Sequence, residues 1–305
     1  MPNKQKTAGK TVKRFVNRYL FGYMMLAPFF LLFFIFTLLP VIISFVDSFY
    51  NYDMINTRTF AGFTNFLELF TGDDVFITSI GNTLIFALIA GPVGFIMSFL
   101  FAWVIDQLRF SKGFALAFYA PSIVSGIAIS VVWLYFFSPD RLGLINDVLI
   151  RTGLISTPIL WTSDPSTIMV VIVIISLWMS MGSGFLTNLA GLKTIPDSYY
   201  EAGYIDGIQS RAQELYYITI PSMKPMLLYN AITSVVASFS VFDIAVSVSG
   251  FPSPGYAGHT VVAHLYDNAF VRFDMGYASA IAVVLFIMTF SLSRLFMRIF
   301  SSKGE

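Results

Sequence analysis

Ser176, Ser180, Ser183 and Thr187 recur along one stripe of an apolar stretch, and Asn230, Ser234 and Ser238 do the same in a second, followed by Ser240, Phe242 and Asp243. Hydroxyls and amides at helical spacing offer hydrogen bonds to a polar molecule and carry no bond-breaking chemistry of their own. Trp178 beside the first stripe adds an aromatic face suited to a sugar-like ring. The same serines have a plainer use, which is to let helices approach closely or to bond a neighbouring helix. Asp243 is the only carboxylate well inside its stretch. It suits binding a hydroxyl or a cation, or a helix-to-helix hydrogen bond near a membrane face.

Catalysis finds little support. Cysteine is absent, which removes disulfides, thiolate nucleophiles and thiolate metal sites together. His259 and His264 lie five residues apart in a Pro/Gly-rich segment and have no further histidine or thiol to complete a metal shell, so a surface or interfacial place is expected and no metal site. No G-x-x-x-x-G-K-[ST] loop occurs, and the chain cannot cradle nucleotide phosphates itself. No cluster of His, Asp, Glu or Cys could run a membrane enzyme.

The elements that must hold these residues follow from composition. Of 305 residues 56% are hydrophobic, 17% aromatic and only 11% charged, against roughly a quarter charged in a soluble chain. Apolar runs long enough to cross a bilayer lie near Leu20–Val46, Asn82–Ile105, Phe114–Phe137, Ile168–Leu192, Met226–Val248 and Tyr277–Phe300. These predict an all-α integral membrane protein of about six transmembrane helices, one domain over 1–305, and the first run is too long for a signal peptide. Lys and Arg crowd one side: the 1–19 tail, Arg109 and Lys112, Lys193, Arg211 and Lys224, then Arg294, Arg298 and Lys303. Only Arg58, Arg141, Arg151 and Arg272 fall on the other, which places both termini in the cytoplasm. Outer loops at about Asp47–Ser79 and Ser138–Thr167 can hold short interfacial helices, with Phe63 and Trp161 at headgroup level. A net charge of +1, with no acidic or basic tail dominating the whole, gives no reason to expect nucleic acid.

The loop over 193–225 is no plain connector. Ser198-x-x-Glu201 reads as a capping box, Gly207 can end that helix in a left-handed conformation, and Ser210-x-x-Gln213 starts a second helix that Pro221 stops. Ala202, Ile205, Ile208, Ala212, Leu215 and Ile218 recur every three or four residues, an apolar stripe on a segment too polar to span. Such a stripe lies on lipid or docks into a protein groove; Glu201, Asp206, Gln209, Gln213 and Glu214 on the polar face favour the groove.

Glu201-Ala202-Gly203-Tyr204-Ile205-Asp206-Gly207, then Ile218-Thr219-Ile220-Pro221 and Lys224-Pro225, resembles the "EAA" loop of binding-protein-dependent ABC importer permeases of the maltose and glycerol-phosphate type. Further resemblances run along the chain: Gly81-Asn82-Thr83-Leu84, Ala120-Pro121-Ser122-Ile123 with Trp133, Gly143-Leu144-Ile145-Asn146 and Gly276-Tyr277-Ala278-Ser279-Ala280. Gly203 stands where the motif more often has alanine, which loosens the helix slightly. The resemblance implies that Tyr200, Glu201, Ala202, Gly203, Asp206 and Gly207 couple to an ATPase. It implies a substrate path lined around Ser176–Ser183 and Ala237–Val241, hence Ser176, Trp178, Ser180, Ser183, Ser238 and Val241 as candidate contacts, to which Asp243 is added as an intramembrane acid. It further implies a second permease subunit, two ATPase subunits that hold ATP and Mg²⁺, an extracellular solute-binding protein and a carbohydrate moved inward by alternating access; no cofactor belongs to this chain. The rival reading, an ion-coupled secondary transporter, needs buried carboxylates or repeated halves and leaves the structured loop unexplained.

Overall fold

The computed structural model describes residues 19–20, 22–124 and 126–301, so the 1–19 tail lies almost wholly outside the described residues. Apart from a two-residue pairing of β1 (Tyr50–Asn51) with β2 (Thr59–Phe60), the described structure is helical. The helices are α1 (Gly22–Asp47), α2 (Thr64–Thr71), α3 (Asp74–Asp106), α4 (Ser111–Ile123), α5 (Gly126–Phe136), α6 (Leu144–Arg151) and α7 (Pro165–Ser180). They continue as α8 (Ser183–Leu192), α9 (Asp197–Ile205), α10 (Arg211–Phe239), α11 (Asp243–Ser249), α12 (Val261–Tyr266) and α13 (Met275–Ser301).

Four stretches are long and apolar enough to cross a membrane: α1, α3, α7 with α8, and α13; α10 and α11 add a fifth if their 41° bend is taken within one span. Three of the six expected runs are broken. The run over 114–137 is two short helices, parted where Val124 turns extended. The run over 168–192 breaks at Gly182 (φ −78°, ψ −96°), and the run over 226–248 breaks at Ser240–Phe242. Irregular backbone at membrane depth leaves amide groups without helical partners, and it is tolerated only inside protein or beside a cavity.

α3 is apolar all round: α7, α8 and α10 pack on one side of it, and its other side, with Ile85, Leu88 and Ile96, is exposed as a lipid-facing surface would be. Small residues set the approach: a Cβ added at Gly91 would lie 3.2 Å from Ser238 Oγ, and one at Gly94 would lie 2.9 Å from Ser180 Oγ. Without a hydrophobic driving force inside lipid, such close backbone contact is what holds helices together. Polar groups add a tie, since Asn230 Nδ2 donates to Asn188 Oδ1 (2.6 Å) and Asn188 Nδ2 donates to Ser98 Oγ (3.3 Å), linking α10, α8 and α3.

At the end of the bundle far from α9, residues 258–261, 263–264 and 268–269 are buried while 270–274 stay exposed, which corrects the expected surface place of the two histidines. His259 and His264 are 3% and 1% exposed. Asn82 donates to the carbonyls of Tyr256 and His259, Thr83 Oγ1 accepts from Val261 N–H, and His264 Nε2 lies 2.8 Å from Asp73 Oδ2. Asn82 and Thr83 of the Gly81 motif thus clamp this segment. Burial pushes His259 down to about 4 and lowers His264 as well, despite Asp73. A base depressed in the folded state stabilises it above its unfolded pKa and loses that contribution as pH falls towards the folded value. Thermal stability should therefore decline between about pH 6.5 and about 4. A His259→Phe variant, which keeps the ring stacked on Phe251, should show a shallower decline; equal slopes would exclude His259 as a source.

Candidate coupling elbow and polar cavity

α9 does not begin with the expected capping box. Pro196, fixed in an extended conformation, precedes Asp197, and Ser198 lies inside the helix with no capping hydrogen bond. Asp197 in the first turn complements the helix dipole instead. Glu201 is therefore released from capping and stands exposed with no hydrogen bond or ion pair among the described residues. The helix ends as its sequence predicts: Gly207 has φ +93°, its N–H bonds Tyr204 O (3.2 Å), and Ile208 N–H bonds Gly203 O (2.9 Å). This is the two-bond helix stop that requires a left-handed residue at Gly207.

Beyond the turn, Ser210 and Gln213 form the expected reciprocal capping box. Pro221 does not stop the helix. A π-turn over Leu215–Thr219 shifts the bonding register, with Ile220 N–H reaching Leu215 O, and the helix runs on through Pro221 and Pro225 to Phe239. The apolar stripe is also divided. Ile218 is buried and Ile208 and Leu215 half-buried, whereas Ile205 is 84% and Tyr204 74% exposed, because the turn at Gly207 points the two arms differently. Gly203 is a contact point and not merely a loose link: a Cβ there would approach Ile218 Cδ1 to 2.6 Å. Tyr200 braces the arms through its hydroxyl, 3.1 Å from Thr219 Oγ1, and Ala202 and Asp206 face outward.

The helix breaks meet around a cavity of about 490 Å³, lined by Ser176 and Ser180 of α7, Ser234 and Ser238 of α10, and Ser240, Val241 and Asp243 at the bend. Trp178 is outside this lining; it packs edge-on against Trp133 with centroids 5.3 Å apart. Phe86 of α3 and Phe242 supply aromatic surface there instead, along with Ser122 of α4. Phe86 and Ser122 belong to no polar stripe, and only packing brings them in. Ser183 opens α8, while its side chain lies outside the described residues. A second cavity of about 320 Å³ shares Ser180, Ser234 and Ala237 with the first and adds Ser98, Thr187, Tyr229, Asn230 and Thr233 on the side nearer α9.

Most cavity hydroxyls donate to backbone: Ser180 to Leu177 O (2.7 Å), Ser234 to Gly91 O (3.0 Å), Ser238 to Val235 O (2.7 Å) and Ser240 to Val236 O (3.2 Å). Their lone pairs remain as acceptors. Asp243 adds a carboxylate that is exposed to the cavity and has no partner among the described residues. Ser176 Oγ is buried with no hydrogen-bond partner. Packing and lining are thus not alternatives, since Ser180 and Ser238 do both.

The chain matches the profile of the family "Binding-protein-dependent transport system inner membrane component" over residues 90–303. It belongs to that family. This permease is 34% identical over 274 residues to the probable ABC transporter permease protein YesP of Bacillus subtilis, covering 88% of this chain and 86% of that one. It is 31% identical to the lactose transport system permease protein LacF of Rhizobium radiobacter, over 94% and 95% of the two chains. Its fold is similar to a solved bacterial ABC transporter involved in import of the acidic polysaccharide alginate (TM-score 0.81, 21% identity, 97% of this chain and 100% of that one). The family expected from the Glu201–Gly207 loop is thereby established, and the ion-coupled alternative drops out. The permease is a multi-pass protein of the inner membrane.

Proposed function

We propose that this permease conducts a neutral, hydroxyl-rich carbohydrate, and that the cavity at the helix breaks is where the substrate pauses. The observation that carries the reading is the hydrogen-bond polarity of the lining. Four serine oxygens whose protons are engaged with backbone, together with the Asp243 carboxylate, form a surface of acceptors, and a ligand fits such a surface by donating. Sugar hydroxyls do so from every face, and Phe86 and Phe242 can cover an apolar ring face. An unpaired carboxylate in the lining disfavours an anion, so a neutral sugar suits the site better than a uronate or a phosphate ester. The lactose permease among the relatives supports the same substrate class.

In this reading the chain crosses the membrane six times with both termini cytoplasmic, the α4 and α5 pair forming one crossing. Residues 1–19 and 193–225 face the cytoplasm. A second permease subunit completes the path, an extracellular solute-binding protein delivers the sugar, and two ATPase subunits with ATP and Mg²⁺ dock on the α9 elbow through Tyr200, Glu201, Ala202, Gly203, Asp206 and Gly207. Exposed Tyr204 and Ile205 give that elbow an apolar surface for a cleft.

Ser176 offers the cleanest test, because its hydroxyl makes no hydrogen bond to another helix. Ser176→Leu should lower uptake in the assembled transporter by about two orders of magnitude, while complex yield and basal ATP hydrolysis stay unchanged. Neutral oligosaccharides should compete for the residual uptake and glucuronides should not. Normal uptake in Ser176→Leu would remove this cavity from the path.

A further inference from the structure

At the end of the bundle that carries α9, a cleft of about 330 Å³ opens between α4 and α8. Its floor is Ala115, Leu186, Leu189 and Ala190, and its rim is Lys112 on one helix and Lys193 on the other. Lys193 Nζ is held 2.6 Å from Asp106 at the end of α3, which fixes that rim in place. Arg109, between α3 and α4, and Lys112 are exposed and form no ion pair among the described residues. Lys112 and Lys193 against the one carboxylate of Asp106 leave the rim net positive, and Arg109, three residues before Lys112, adds a further cation nearby.

Apolar side chains also stand exposed on the chain next to the cleft. Phe110 is 75% exposed between Arg109 and Lys112, and Leu116 of α4 is 67% exposed. Large apolar groups displayed beside cations mark the headgroup level of a membrane and not a surface in open water. A purely solvated basic face would lack the apolar floor, and a purely lipid-facing groove would lack the charges.

We propose that this cleft seats one anionic phospholipid, its phosphate between Lys112, Arg109 and the Lys193–Asp106 pair and an acyl chain against Leu186, Leu189 and Ala190. Basic pockets between helices at the cytoplasmic face favour such headgroups, with each nearby cation worth about fivefold in affinity. The lipid bridges α4 to α8, directly before α9. The inference rests on the reading that this end of the bundle is cytoplasmic.

The test uses the assembled transporter in phosphatidylcholine nanodiscs with spin-labelled phosphatidylglycerol as the probe. The expected result is a motionally restricted phosphatidylglycerol population, absent with labelled phosphatidylcholine, that weakens about fivefold in Lys112→Gln and again in Arg109→Gln. Lys224→Gln, which removes a cation at the same end but outside the cleft, should leave it intact. Ala190→Trp fills the floor without changing charge and should abolish it. Equal loss in Lys224→Gln would reduce the effect to diffuse surface charge, and an unaffected Ala190→Trp would show that no seat exists; either overturns the proposal. Displacement by soluble glycerol phosphate at matched concentration would also overturn it, by showing a free-anion site. Labelling of a Lys112→Cys variant from outside the cell would instead overturn the orientation, which separates that failure from this one.

Discussion

Gly207→Val should disconnect ATP hydrolysis from uptake, lowering transport more than tenfold while the permease stays in the membrane and folded. A Cβ at Gly207 meets nothing within 4 Å, so steric crowding by neighbours is not the issue. The issue is φ +93°. A side chain there costs about 1–2 kcal/mol and more when branched at Cβ. The cheapest relief is for the turn to adopt negative φ, which breaks the Gly207-to-Tyr204 and Ile208-to-Gly203 bonds and re-aims α9. Asn tolerates the left-handed region, so Gly207→Asn should retain most of the uptake. The measurements are uptake, hydrolysis and co-purification of the ATPase for both variants. Full uptake in Gly207→Val with the ATPase bound would show that the angle between α9 and α10 does not transmit the stroke.

Asn146→Leu should unfold the 138–163 segment and sharply reduce the yield of folded protein. Asn146, fully buried on α6, shares its two amide hydrogens among the carbonyls of Ser138, Asp140 and Ile159, each 3.0 Å away. Its oxygen accepts from Ile159 N–H (3.1 Å) and Trp161 Nε1 (3.0 Å). Leucine conserves bulk but orphans these five part-buried groups; a fully buried one costs about 1–3 kcal/mol, and with partial access to water the loss should be about 3–5 kcal/mol in all. Trp161→Phe removes a single hydrogen bond and should cost only about 1 kcal/mol. Thermal scans in detergent, read by monodisperse elution, compare the two. Equal stability of the variants would show that Asn146 is not the keystone of this loop.

These cases show what the sequence could and could not reveal. Local signals with a backbone cause were legible: positive φ at Gly207 and the Ser210–Gln213 box depend on few neighbours. The Ser198 cap failed because Pro196 two residues earlier had already fixed where the helix starts, and the Pro221 stop failed because a π-turn absorbed the ring. Both are choices between local options that sequence spacing cannot rank. The serine stripes pointed to the cavity's position, whereas Phe86 and Ser122 enter it only through helix packing, and Trp178 is drawn away by Trp133. Asn188 carried a usable signal that went unread, since an amide inside an apolar span is costly unless partnered. The histidines misled because polarity and nearby glycines suggested exposure, while Asn82, Thr83 and Asp73 from a distant helix bury them.

The π-turn at Leu215–Thr219 has a mechanical meaning. Because the helix is not interrupted at Pro221, α10 is one rod from Arg211 at the elbow to Phe239 beside the cavity, about 40 Å at 1.5 Å per residue. A rod of that length pivoting at one end moves its other end by about 3 Å for a tilt of about 5°, more than half the pitch of a helical turn. Ser234 and Ser238 ride on the moving end, whereas Asp243 lies past the bend and need not follow. A small rotation imposed at the elbow thus alters the spacing between the serines and the carboxylate, so the grip on a bound ligand changes with the angle of one helix.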